Sequence, residues 1–207
     1  VHDITHRVQA AYDRVAGEYA EARAVAPPPI AAMMDDVAAA GGADGLVLDH
    51  GCGAGRDLAA WHARGARAVG LDVSAGMLAQ AARRSAGSLL RADLLHLPFA
   101  AATFTAVWSV AVMQHLPRTL VEPALVEVAR VLRPGGVLAL VVREGHGEGW
   151  ETDGDHTQFT ARHSPEEIAA LLERCGFHLR WQAVGRGGWL RQLAIRPDAG
   201  PSGAPST

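Results

Sequence analysis

The order of strand and helix signals predicts a doubly wound α/β fold: a seven-stranded, mainly parallel sheet whose last strand is antiparallel. Three observations carry this. Apolar strand runs alternate with helical runs from residue 46 onward. The run VLALVV (137–142) is apolar on both alternating faces, as in a central strand covered on both sides. And a glycine-rich turn, HGCGAGR (50–56), separates the first strand from the helix after it, where open parallel sheets bind ligands.

The elements follow in order. Residues 4–24 read as an amphipathic helix, with Ile4, Val8, Ala11, Tyr12, Val15 and Tyr19 at three- and four-residue steps. Pro27, Pro28 and Pro29 break it, and a short helical stretch then runs to about Ala40, ended by Gly41 and Gly42. Leu46 to His50 is the first strand. Arg56 to Arg64 suits a helix closed by Gly65, and Ala66 to Leu71 a second strand. Ser74 caps a helix to Arg84. Leu89 to Ala92 and Phe104 to Val110 are the third and fourth strands. Thr119 and Glu122 read as a capping box for a helix reaching Leu132, and RPGG (133–136) turns the chain into the fifth strand. Ser164, Pro165 and Glu167 open a helix that runs to Cys175, where Gly176 closes it. Phe177 to Val184 and Trp189 to Ile195 form an antiparallel hairpin across Gly185-Arg186-Gly187-Gly188. REGHGEGWETDGDHTQFTARH (143–163) has no clear period. Loops longer than about 12–15 residues are uncommon unless functional or disordered, so it reads as an irregular cover over the ligand edge. The tail DAGPSGAPST (198–207) reads as disordered, leaving residues 1–197 as a single domain.

Composition narrows the function classes. The 207 residues are 49% hydrophobic and 20% charged, enough for a sizeable core. A net charge of -3 offers no general attraction to nucleic acid or anionic membranes. No apolar run approaches the roughly 18 residues of a spanning helix. The opening stretch VHDITHRVQAAYDRVAGEY has no signal-peptide core, although a start on Val1 leaves a processed leader open. Cys52 and Cys175 are too few for a disulfide framework, and a reducing, cytoplasmic setting is expected. Apart from His2 and His6, at i and i+4, the ten histidines include no pair at a compact ligand spacing, and no metal is expected.

The glycine turn carries most of the chemical information. Glycine permits positive φ and close approach of a ligand, and the following helix offers unpaired N–H groups and partial positive charge. The spacing does not fit a dinucleotide. The place of the third small residue holds Arg56 counted from Gly51, or Leu58 counted from Gly53. A P-loop also fails, because no Gly-Lys-Ser/Thr follows. Asp72 ends the second strand, 23 residues beyond Asp49, where a carboxylate can accept from both hydroxyls of a ribose. Asp93 ends the third strand and can accept from an exocyclic amine. Acids at three adjacent strand tips suit a ligand with an amine, a ribose and a positive centre.

On these residues the sequence resembles class I S-adenosylmethionine-dependent methyltransferases, in the small-molecule branch called type 11. The resemblance spans about residues 10–196 and rests on VLDHGCGAGRDLAAW, VGLDVSAGMLAQAAR, RADLLHLPF, FTAVWSVAVMQHLP and VLRPGGVLAL, in family order and spacing. It implies a Rossmann-like fold with an N-terminal lid helix, residues 1–40 being the helical lid region, and S-adenosyl-L-methionine as cofactor. It implies that Asp49, Gly51, Cys52, Gly53 and Gly55 take the amino-acid end of the cofactor and that Asp72 takes the ribose diol. Val73, Met77, Asp93 and Leu94 fall around the adenine, Ser109 and Val110 line the cofactor, and Tyr12 and Tyr19 face it from the lid. His50 departs from the small or apolar residue common at that place. GEGWE resembles a sub-branch with a short GxGEGW stretch, which names no acceptor.

The remaining candidates concern the acceptor. Methyl transfer from a sulfonium has a neutral leaving group and needs chiefly alignment, with a base only where the nucleophile carries a proton of high pKa. His115, after the fourth strand, is either that base, with Tyr19 assisting, or a structural histidine. Trp150 is a substrate wall or a plug. Arg23, Arg143 and Arg162, with His146 nearby, suit an acidic acceptor, while Arg143 and Arg162 can equally pair with Glu144, Glu151 or Asp155. Asp57 reads as a first-turn charge on the helix dipole. The segment Ser109-Val110-Ala111-Val112 is unlike the motif of amino-methylating DNA enzymes, which leaves a small metabolite, of specialised metabolism if the GC-rich composition is a guide. Two rival classes remain open: a non-catalytic cofactor-binding regulator and a nicotinamide-dependent oxidoreductase. Oligomeric state is not legible.

Overall fold

The computed structural model describes residues 2–153 and 156–198. Helices α1 (His2–Ala22) and α2 (Pro28–Ala39) precede the sheet. Then come β1 (Leu46–His50), α3 (Arg56–Ala63), β2 (Arg67–Asp72), α4 (Ala75–Arg84), β3 (Ser88–Arg91) and β4 (Phe104–Val110). A 3₁₀ turn (Met113–His115), α5 (Arg118–Val131), β5 (Leu132–Glu144), β6 (Glu148–Asp153), β7 (His156–His163), α6 (Pro165–Arg174), β8 (His178–Gly185) and β9 (Trp189–Ile195) complete the chain. The expected tail lies almost wholly outside the described residues.

The sheet has nine strands: the expected seven run in the order β3-β2-β1-β4-β5-β9-β8, and β7 and β6 are added at the tip of β5. Strands β1 to β5 are parallel to one another, and β9 runs antiparallel to both β5 and β8. The chain doubles back between β3 and β4, which pairs with β1, so the carboxyl ends of β1 and β4 flank the topological switch point where such sheets hold ligands.

The central run of β5 is covered as its pattern predicts. Leu138, Leu140 and Val142 pack with Leu125 and Val128 of α5 and Ile168 and Leu172 of α6. Val137, Ala139 and Val141 face the other way, onto Met33 and Met34 of α2, Trp61 of α3 and Trp108 of β4. Burying a side chain of this size is worth about 1.5–3 kcal/mol, so this strand ties both layers to one sheet.

Three sequence expectations change. The irregular cover over 143–163 is a hairpin: β6 pairs antiparallel with β7, Trp150 opposite Phe159, and β7 joins the tip of β5 at Arg143–Arg162 and Glu144–His163. Phe159 and Ala161 are buried under Val8 of α1, and this docking supplies order that the polar sequence does not signal. Second, Thr119 and Glu122 do not box α5. Pro117 is the N-cap without a side-chain bond, and Glu148 of β6 accepts the Arg118 N–H at 2.6 Å in a cap's place. Third, β5 runs through the expected RPGG turn, with Gly135 at φ +73° and its N–H donating to the Arg196 carbonyl. The Ser164–Glu167 capping box of α6 is present as read.

Candidate active site

A cavity of about 800 Å³ opens over the carboxyl ends of β1, β2, β4 and β5, with α1 across it. Its floor is the glycine turn. Gly51 sits at φ +75°, and a Cβ there would lie 2.2 Å from Val112 Cγ2, so this position is closed to any side chain. Gly53, at φ +51°, has nothing within 4 Å of the same point and leaves open space on the cavity wall. Gly55 caps α3 against Ala81 and does not line the cavity.

Two carboxylates stand at the strand tips as the sequence predicts. Asp49 is 3% exposed, and its Oδ2 has no hydrogen-bond partner among the described residues. Burial first, then the nearby Asp57, pushes its pKa well above the usual carboxylate range against the pull of Arg56. Asp72 accepts from the Gly53 N–H and the Ser74 N–H, both at 2.9 Å, which ties the glycine turn to the start of α4. Burial raises its pKa, and those backbone bonds oppose the rise. Asp93 lines the cavity and accepts from the Leu95 N–H at 2.9 Å. Cys52, Val73, Met77, Leu94 and Val110 also line it. Burial, with Asp49 and Asp72 beside it, pushes the Cys52 thiol far up, which disfavours the thiolate.

Across the cavity, α1 presents two tyrosines whose rings meet edge-on at 5.8 Å. His115 pairs with Tyr12, where the sequence suggested Tyr19: His115 Nε2 is 2.9 Å from Tyr12 Oη. His115 Nδ1 is 2.8 Å from the Phe159 carbonyl oxygen, and Tyr12 Oη is 3.0 Å from Gln158 Oε1. Burial raises both tyrosine pKa values, while Arg23 pulls them down.

Several expected residues lie elsewhere. Ser109 is fully buried, 3.1 Å from His50 Nδ1, and off the cavity wall. Trp150 packs edge-on against Phe159 under the Arg7 guanidinium, so it is a plug and not a wall. Arg162 pairs with Glu151 and does not line the cavity. His146 is exposed on the Gly145–Gly147 turn, away from the cavity. Arg23 and Arg143 do line it. Asp57 does stand in the first turn of α3 as expected, and it is also buried: 6% exposed, bridged by Arg56 at 2.6 and 2.8 Å, and accepting from Trp108 Nε1 at 3.0 Å.

Some site residues gave no sequence signal. Asp13 of α1 accepts from Ser74 Oγ at 2.5 Å and the Gly76 N–H at 2.8 Å, placing a carboxylate on the first turn of α4 and holding α1 over the cavity. Gln158 and the Phe159 carbonyl come from the unpredicted hairpin. Ala111, at φ +58°, gave none either. It stands in the left-handed region just after β4 and lines the cavity, a strained position of the kind found at functional sites. Among the described residues no three His, Cys, Asp or Glu side chains are grouped to hold a metal ion, and no helix is long and apolar enough to cross a membrane.

Residues 48–140 match the family model described as a methyltransferase domain. A malonyl-[acyl-carrier protein] O-methyltransferase of Dechloromonas aromatica is 34% identical over 184 residues, 82% of this chain and 65% of the relative. Methyltransferase GfsG of Streptomyces halstedii is 39% identical over 150 residues, 64% of this chain and 52% of the relative. The chain spans 37% to 65% of the length of such curated relatives. Among solved structures, the Burkholderia thailandensis 1,6-didemethyltoxoflavin-N1-methyltransferase superposes with a TM-score of 0.72 at 21% identity, covering 94% of this chain and 91% of that one. The methyltransferase-domain match thus covers β1 to β5, and the sheet around it has the fold of the solved methyltransferase.

Proposed function

We propose that the chain transfers the methyl group of S-adenosyl-L-methionine to an oxygen or nitrogen of a small metabolite. The observation that carries this is the shared cavity, with buried carboxylates at the strand tips on one side and the His115–Tyr12 pair on the other. The donors fit the cofactor. The unpartnered Asp49 Oδ2 suits an ammonium group, Gly53 leaves room beside Asp72 for a ribose, and Met77 and Leu94 offer apolar surface to a base. When bound, the cofactor supplies an electrophilic methyl group on a positive sulfur.

The chain's own task is alignment, exclusion of water and removal of a proton. The Phe159 carbonyl can only accept, so His115 Nδ1 carries hydrogen. In neutral His115 the Nε2 lone pair faces Tyr12 Oη. An acceptor hydroxyl or amine that reaches Tyr12 passes its proton to the phenol oxygen as Tyr12 passes its own to Nε2. The imidazolium so formed is fully satisfied, with Nδ1–H donating to Phe159 O, Nε2–H to Tyr12 Oη, and Tyr12 O–H to Gln158 Oε1. Burial disfavours a free tyrosinate, so Tyr12 relays and His115 stores. Residues 1–197 act as one methyltransferase domain with 1–40 as its lid, and two free cysteines suit a cytoplasmic role in biosynthesis.

The test uses methyl-labelled cofactor with a panel of phenols, amines and hydroxy acids. We expect label in a small-molecule product, and a loss of about 10²–10⁴ in kcat for His115→Gln with cofactor affinity intact. Full turnover by His115→Gln contradicts the relay. Cofactor binding with no labelled product from any acceptor favours a binding protein without catalysis.

A further inference from the structure

The two ends of the cavity carry opposite charge. Asp49, Asp72 and Asp93 stand at the glycine-turn end, where Asp57 is paired with Arg56, and Arg143, Arg186 and Arg191 stand together at the other, with Trp189. The cross-strand register explains the grouping. Arg143 lies opposite Trp189 and Val141 opposite Arg191, so all four share one face of the β5–β9 pair. Arg186 comes from the β8–β9 turn at the same edge.

None of these three arginines has a carboxylate partner among the described residues. Arg143 and Arg191 are held at short range by neutral groups, with the Glu151 carboxylate acting on Arg143 from farther off. Arg143 Nη1 donates to the Gly187 carbonyl at 2.6 Å, and its guanidinium lies 4.2 Å over the Trp189 ring. Arg191 Nη1 donates to the Pro29 carbonyl at 3.3 Å. Carbonyls and an aromatic face orient a guanidinium without neutralising it. Arg143 and Arg191 are half-buried, so screening by solvent is incomplete. Arg56, Arg118, Arg130, Arg162 and Arg174 pair with acids; Arg23 and Arg84 line the cavity singly, at the ends of α1 and α4, whereas the β5–β9 edge gathers three arginines together.

We propose that Arg143, Arg186 and Arg191 form an oxyanion subsite that anchors a carboxylate or phosphate of the methyl acceptor. This rests on the methyltransferase reading and adds to it the acceptor's class and direction. Fixed guanidinium forks match planar carboxylates and phosphate oxygens. The acids at the opposite end repel the same anion, so the acceptor enters with its reacting atom towards Tyr12 and its charged end on the arginines. The sequence expected an acidic acceptor on Arg23, Arg143 and Arg162; the structure keeps Arg143, ties up Arg162 and brings in Arg186 and Arg191.

The test is ligand-observed NMR on protein saturated with S-adenosylhomocysteine, using aryl and alkyl carboxylates, their primary amides and aryl phosphates. We expect the anions to bind and the matching amides to bind about tenfold more weakly, the worth of one charge-assisted hydrogen bond. Arg143→Gln and Arg191→Gln should each cost the anions a similar factor, leaving the amides and S-adenosylhomocysteine unchanged. The carboxylate and phosphate arms identify which oxyanion is preferred. Amides that bind as well as acids, anion affinities untouched by Arg191→Gln, or no anion binding to the loaded protein would each overturn the subsite. Absence of S-adenosylhomocysteine binding by the unaltered protein overturns the methyltransferase reading itself, and is read separately.

Discussion

The glycine-turn end of the cavity and its arginine end are built by different means. The first is a short continuous stretch: strand tip, turn and helix start, with Asp72 one strand over binding the Gly53 N–H. Its shape is set by backbone torsions and by the absence of side chains. The second is assembled from the tip of β5, the β8–β9 turn and the carbonyl of Pro29, with partners up to 162 residues apart in sequence. Its character is set by side-chain charge. A backbone-built end tolerates almost no substitution, whereas a charge-built end can change its ligand by changing one arginine.

Substitutions sharpen this contrast. The largest expected effect is Gly51→Ala. Its φ of +75° and the 2.2 Å approach to Val112 combine left-handed strain with overpacking, for a loss of roughly 2–5 kcal/mol. Chemical denaturation measures this, and a stable Gly51→Ala protein would break the claim that the turn is closed to side chains. Next comes His50, fully buried at the β1 tip with its pKa lowered to about 4 by burial. A depressed histidine pKa adds stability above its unfolded value near 6.5, and that stability is lost as pH falls towards 4. The span is worth on the order of 3 kcal/mol. The raised carboxyls Asp49 and Asp72 act with the opposite sign, so the measurement is the difference in unfolding free energy between the protein and His50→Asn from pH 7 to pH 4. The variant should lose less, and parallel curves would show that His50 does not titrate with folding. The smallest stability effect is Gly53→Ala, where only the left-handed torsion counts, about 1–2 kcal/mol. Its Cβ fills space beside Asp72, so nucleoside affinity should fall although the fold survives. An unchanged affinity would remove Gly53 from the binding surface.

The same contrast explains what could be read in the sequence. Strands β1 and β4 and the turn after β1 follow from local apolar runs and glycine spacing, and Asp49, Asp72 and Asp93 follow from their places at strand tips. The hairpin Glu148–Asp153 and His156–His163 was not legible, because its strands are polar and are ordered by docking Phe159 and Ala161 under α1. The start of α5 was misread because Glu148, 30 residues on, replaces a local cap. Arg191 looks like a solvated charge until the β5–β9 register sets it on the face of Arg143, and Arg186 until the β8–β9 turn places it at the same cavity edge. Helical spacing puts Tyr12 on its helix and the family resemblance makes that helix a lid, but its bond to His115 joins residues 103 apart, beyond any local pattern.

The central claim is that the cavity over β1, β2 and β4 binds the methionine-derived nucleoside through Asp72. Calorimetric titration of S-adenosylhomocysteine into the protein and into Asp72→Ala tests it most directly. The account predicts saturable binding by the protein, at least about tenfold weaker binding by the variant, and none of NADP by either. No affinity for S-adenosylhomocysteine, or equal affinity in the two proteins, would contradict it.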